Sequence, residues 1–334
     1  MCDFNQIKCD FILLKSHFIS IFLCLFSVVF CLFYLQIKKE IIRFAKTNIN
    51  SIILNKKFAV MKKEIIVGID FSNASLTALR LSIDISKRTE SDILMLWVKT
   101  AEKDPLEAES ILKDLCKSFT PSLNGKEISY KIAEGKKVHT TINKVIKERN
   151  PYLLIIGTNG NSGFDERFAG ANAFKTLSDC PVPVLLLREN FNFNKPLNNI
   201  ILPIDSTPDT RQKVPWTIEF AKMFPDSCIR VLGLQSYNGK TIREEVKSYV
   251  DSVERFIMQK GLNYTVEFRE SDNSTLTTLD YAKEVNADMI VIMTEQEKTL
   301  SNLFFLGPYA QQMVNLSPYP VLTITPKEIN GAGR

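Results

Sequence analysis

Ile65-Ile-Val-Gly-Ile-Asp70 returns 135 residues later as Ile200-Ile-Leu-Pro-Ile-Asp205. Each copy is a short apolar run closed by an aspartate, the pattern of a strand buried on both faces whose last residue reaches solvent at the sheet's end. Later landmarks keep pace. Ile156-Gly-Thr158 returns as Ile292-Met-Thr294 at an offset of 136, and Gly170 as Gly307 at 137. Pro181-Val-Pro183 returns as Pro318-Tyr-Pro320, also at 137. An offset that drifts by only two residues over a whole domain is the mark of duplication.

Around these landmarks short apolar runs alternate with amphipathic stretches, which predicts βα units with a mostly parallel sheet. In the first copy strands are expected over 64–70, 92–98, 128–133, 152–157 and 182–187. Helices are expected over 75–87, 106–118, 138–149 and 172–178. The domain reading is an N-terminal extension 1–60, a first domain 61–190 and a linker 191–199 containing Asn194-Lys-Pro196. A second domain 200–326 and a tail 327–334 follow.

The chain of 334 residues carries 42 Lys plus Arg against 37 Asp plus Glu, a formal charge of +5. Eight of the bases and three of the acids lie in residues 1–60, which leaves 34 of each in 61–334. A neutral body lacks the concentrated basic charge that drives nucleic-acid binding, so no nucleic-acid partner is expected. Two histidines, His17 and His139, give a His-centred metal or acid–base site almost nothing to be built from. His139 reads as a surface or packing residue of the third helix. Cys116, Cys180 and Cys228 stand far apart in no metal-like spacing, as in a reducing compartment without a disulfide framework.

Residues 1–60 hold no Gly or Pro and nine of the 22 Phe, and 18–37 has no charged side chain. Twenty residues at a helical rise span about 30 Å, enough to cross a bilayer. Lys38, Lys39, Arg43 and Lys46 would then keep the following domains on the cytoplasmic side. The preferred alternative is translated upstream sequence, because Met61 leads at once into Lys62, Lys63 and a clean strand. A cytoplasmic protein is expected, membrane-anchored only if 18–37 is genuine.

Four of the thirteen glycines fall within residues 157–170, between the fourth strand and its helix. Such clustering marks backbone that must bend or be closely approached. A helix start preceded by glycines suits a phosphate, and ligands of open parallel sheets sit at the carboxyl ends of strands, where Asp70 and Gly157 would lie. Two readings stand: a phosphate cradle with base or ribose near Asp70, or a surface loop with Asp70 capping the turn before the first helix. No Walker A sequence is present, and no dinucleotide fingerprint follows the first strand.

These residues resemble the universal stress protein family in its tandem form. Gly157, Gly160 and Gly170, followed by Ala171, fall on the family's Gly-x2-Gly-x9-Gly-Ser/Thr spacing. Val67-Gly-Ile-Asp-Phe-Ser-Asn73, Thr77-Ala-Leu79 and Cys180-Pro-Val-Pro-Val-Leu185 are similar to its opening strand, first helix and closing strand. The resemblance spans nearly all of 62–326. It implies two tandem open five-stranded parallel-sheet domains of Rossmann-like, adenine-nucleotide alpha hydrolase type. It also implies ATP or another adenine nucleotide in the first domain, with or without Mg.

Carried over by position, Asp70 would contact base or ribose, the Val98 backbone the adenine, and Ile156 the pocket wall. Gly157, Gly160, Gly170, Ala171 and Asn172 would meet the phosphates. The closing strands would pair the two domains as an internal pseudo-dimer, with a homodimer of whole chains also open. Ala171 departs from the pattern, removing a hydroxyl bond to phosphate worth about 1.5–3 kcal/mol, or about ten- to a hundredfold in affinity. Asp165 and Glu166 add negative charge to the loop, opposed by Arg167.

In the second domain Met293 and Gln296 replace the first two glycines, Glu295 and Glu297 add charge, and Gly307 with Pro308 survives. That half is expected to keep the fold and lose the nucleotide. The expected function is a nucleotide-responsive stress or regulatory protein, with slow ATP hydrolysis at most, since no nucleophile–base pair accompanies the loop. The alternative is a nucleotide-free scaffold that recruits an unknown protein partner, with Phe304-Phe305-Leu306 as its contact surface unless that run is core. A nucleotidyl transferase is ranked last for want of a His-x-Gly-His or Ser-Gly-Gly-x-Asp-Ser signature.

Overall fold

The computed structural model describes residues 62–99, 103–158, 171–235, 239–294, 296–298 and 304–326. The 1–60 segment, and with it the expected membrane span, lies outside them. Among the described residues no helix is long and apolar enough to cross a membrane.

The first repeat runs β1 (Lys62–Ile69), α1 (Asn73–Thr89), β2 (Asp92–Val98), α2 (Pro105–Phe119), β3 (Ile128–Ala133), α3 (Val138–Arg149), β4 (Pro151–Thr158), α4 (Ala171–Leu177) and β5 (Val184–Arg188). The second runs β6 (Asn199–Ile204), a 3-10 turn (Pro208–Lys213), α5 (Val214–Ala221), β7 (Cys228–Gln235), α6 (Lys240–Gln259), β8 (Asn263–Glu270), α7 (Ser274–Glu284) and β9 (Met289–Met293). It continues with β10 (Gln296–Lys298), β11 (Phe304–Leu306), α8 (Pro308–Leu316) and β12 (Val321–Ile324). The fold class read from the sequence holds, as does every element expected in the first repeat. Boundaries shift by at most two residues, as at β5, which starts at Val184 rather than Val182 because Pro183 has no N–H to give a ladder.

Ten strands form one sheet in the order β3-β2-β1-β4-β5-β12-β9-β6-β7-β8. Within each repeat neighbours are parallel, and the repeats meet where β5 and β12 run antiparallel, with Leu185 opposite Leu322. Each half thus has the order 3-2-1-4-5, which reverses direction between its first and fourth strands. Strand alternation splits the core into two layers. Ile65, Val67, Ile93, Met95, Leu153 and Ile155 pack with Leu79 of α1, Leu112 of α2, Ile218 of α5 and Val250 of α6. Ile66, Leu94, Leu96 and Leu154, equally buried, point to the opposite face.

Side chains weld the two repeats along their shared boundary. Arg188, at the end of β5, donates from Nε to Ser317 O (2.7 Å) and from Nη2 to Asn315 O (2.5 Å), capping the C-terminus of α8. Its counterpart Thr325, just past β12, reaches Leu177 O at 3.5 Å and caps α4. Thr323 Oγ1 donates to Val184 O (3.2 Å). On the α1 and α5 side, Tyr152 and Trp216 stand 6.0 Å apart. Arg88 lies 4.5 Å over the Phe224 ring and donates to Met223 O at 3.1 Å.

Candidate functional site

Strand order brings the predicted site residues of the first repeat to neighbouring strand ends. β1 lies between β2 and β4, with Gly68 level with Ile156 and Ile69 with Trp97. Asp70, Val98, Ile156 and Gly157 therefore end three adjacent strands on one edge, at the point where the strand order reverses. This is where an open parallel sheet forms a crevice. Ala171 and Asn172 open α4, and Gly160 and Gly170 lie outside the described residues, as do Asp165, Glu166 and Arg167.

Asp70 is exposed and held by its own turn. Its Oδ1 accepts from Ser72 N (2.9 Å) and Ser72 Oγ (2.6 Å). Ser72 Oγ in turn accepts from Ser75 N at 3.2 Å, the N-cap bond that starts α1. Buried Ser75 closes the loop, donating from Oγ to Ser72 O (3.0 Å) and accepting from Asp70 N (3.4 Å). The carboxylate is thus aimed by local bonds, and the capping role weighed for it in the sequence is real. That role belongs to the same geometry that presents it at the crevice.

Phe71 pays for this turn with a left-handed backbone, φ 65°. Its ring packs 5.9 Å from Trp97, which is 3% exposed, and Lys103 Nζ lies 5.0 Å above it while pairing with Glu107 at 2.8 Å. Sequence reading missed Phe71, Ser72, Ser75 and Lys103. Asp-x-Ser before a helix was the available signal for the serines, whereas nothing in the spacing marks Lys103. Val98, at the end of β2, is 5% exposed and its side chain belongs to the core.

Gly157 has a packing reason that its loop reading did not contain. A Cβ there would stand 2.1 Å from Ala74 O and 2.6 Å from Ser75 N, so β4 ends pressed against the first turn of α1. Only a residue without a side chain permits that approach.

The second repeat keeps the turn and changes everything behind it. Asp205 Oδ1 accepts from Thr207 N (2.8 Å) and Oγ1 (2.5 Å), and Asp205 N donates to Thr210 Oγ1 (3.2 Å), repeating the three bonds of Asp70, but Thr207 makes no side-chain cap bond of the kind Ser72 makes. Pro203 stands at the place of Gly68 and has no N–H, and the β6–β9 ladder is confined to Ile200↔Met289 and Ile201↔Ile290. The first helical turn becomes the 3-10 turn, and buried Met293 occupies the place of Gly157. Lys213, 3% exposed, donates to Thr210 O (2.8 Å) and Thr210 Oγ1 (3.0 Å) inside this turn. Gln296, expected in a degenerate loop, instead begins a short antiparallel pair with β11. Among the described residues no group of His, Cys, Asp or Glu could hold a metal ion.

A sequence model of the universal stress protein family matches residues 61–188 and again 196–325. The chain belongs to the universal stress protein family. A universal stress protein of Methanocaldococcus jannaschii is 25% identical to it over 161 residues, covering 42% of this chain and 89% of that one. The crystal structure of a universal stress protein from Archaeoglobus fulgidus superimposes with a TM-score of 0.65 at 18% identity, covering 79% of this chain and 98% of that one. A universal stress protein solved in complex with cAMP matches 39% of this chain and 99% of its own at 19% identity, with a TM-score of 0.33. This universal stress protein therefore carries two family domains in tandem, one keeping the glycine spacing and one without it.

Proposed function

We propose that the first repeat binds an adenine nucleotide, ATP foremost, and that the chain acts as a nucleotide-responsive stress or regulatory protein. The observation that supports this best is the meeting of Asp70, the Val98 backbone, Ile156 and Gly157 at one reversal of strand order. In this reading base and ribose lie by Asp70 and Val98, and the phosphates lie along Gly157, Gly160, Gly170, Ala171 and Asn172. Lys103 adds a cation at the rim. The second repeat, with Met293 and Gln296 where glycines would be, takes no nucleotide and serves as the internal partner of the first.

A ligand of this kind regulates only if two states of the protein differ in affinity for it. The reading accordingly predicts a nucleotide-dependent shift in conformation or assembly, with hydrolysis slow at most. Calorimetric titration of the full chain with ATP, ADP and AMP tests it. One site per chain is expected, and Gly160→Val should abolish it. No heat at millimolar nucleotide would leave the ligand-free scaffold, which Ala171 and the altered second repeat favour, as the reading to pursue.

A further inference from the structure

The strand pair that replaces the second repeat's glycine loop stands outside the ten-stranded sheet. In it Gln296 faces Leu306 and Lys298 faces Phe304. β11 comes within 8 Å, Cα to Cα, of α4, a helix of the other repeat. The C-terminal end of α4 is also held by the second repeat, through Thr325 Oγ1 to Leu177 O. From its own repeat α4 receives Asn143, whose Nδ2 donates to Thr176 O at 3.1 Å. Seven residues are too few for a helix to persist by itself, so the order of α4 comes from what packs on it.

We infer that the second repeat has become a clamp on α4. β11 beside the helix and Thr325 at its C-terminus fix the segment that leads out of the glycine loop. The clamp stands on these contacts alone. Its consequence for a ligand rests on the proposed function: a nucleotide that needs α4 ordered binds more weakly in proportion to the fraction of molecules in which it is not. By reciprocity, nucleotide bound to the first repeat tightens β11 on α4. Loss of the second repeat's own cradle and gain of a contact on the first would then be one change.

Hydrogen exchange read by mass spectrometry on the full chain, without nucleotide, tests the clamp directly. Thr325→Val removes the hydroxyl with little change of shape, and Phe305→Pro removes an N–H and fixes φ in β11. Exchange across 171–179 is expected to quicken about tenfold in each, while β1 stays as protected as in the native chain. Unchanged exchange in 171–179 for both variants overturns the clamp. So does an equal rise in β1, which would mean general loosening. Titration with ATP separates this from the binding proposal. Weaker ATP binding alongside faster α4 exchange supports both. A native chain that binds no ATP while α4 still loosens in the variants keeps the clamp and ends the ligand reading. Native-like ATP binding with native-like α4 exchange ends the clamp alone.

Discussion

Gly157 tests the packing argument most sharply at the level of single residues. Adding one methyl would place it 2.1 Å from the Ala74 carbonyl oxygen, backbone that cannot swing aside. Gly157→Ala should therefore cost about 1–3 kcal/mol in denaturant unfolding, with the loss of α1 packing as its cause. Gly157→Ala at native stability would show that β4 and α1 do not meet so closely. Ala171→Ser restores the hydroxyl of the family pattern and should tighten ATP binding by about tenfold or more, measured by titration. Burial pushes the Cys180 thiol up to about 12, whereas Cys116 and Cys228 are only half-buried. Alkylation of the native chain near pH 8 should leave Cys180 unmodified until denaturant is added, because the reactive thiolate is absent and unreachable. Asp70 was legible in sequence as the end of a strand. That Ser72 and Ser75 aim it went unread, although Asp70-x-Ser72 directly before the first helix is a signal for such a turn.

Among the elements, every predicted strand and helix of the first repeat is present, and β2, an apolar run buried almost throughout, matches to the residue, as do β3 and α3. What escaped sequence reading is contact between elements distant in the chain. Arg188 at the end of a strand carries no mark of its task, yet burial lowers its basicity and both its bonds go to the C-terminus of α8. Arg188→Ala should cost about 2 kcal/mol, since two carbonyls lose a charged donor. Thermal unfolding measures this, and a change within error would show the cap to be incidental. The 3-10 turn at Pro208–Lys213 likewise was not foreseen, because a proline at a first helical position suits an α-helix as well as the tighter turn found here.

For the whole molecule, the duplicated pattern made the two-domain organisation readable, and the pairing of β5 with β12 joins the copies into one sheet. Their difference in structure was half readable: the missing glycines of the second repeat are plain in sequence, but the strand pair built in their place is not. The central claim is that one repeat holds an adenine nucleotide and the other has given it up. Photolabelling of the full chain with 8-azido-ATP, followed by peptide mapping, addresses it in one measurement. Label confined to peptides containing Asp70, Val98 or residues 157–172, competed by ATP and lost in Gly160→Val, is the predicted result. Competed label within 200–326, or label indifferent to Gly160→Val, would contradict it.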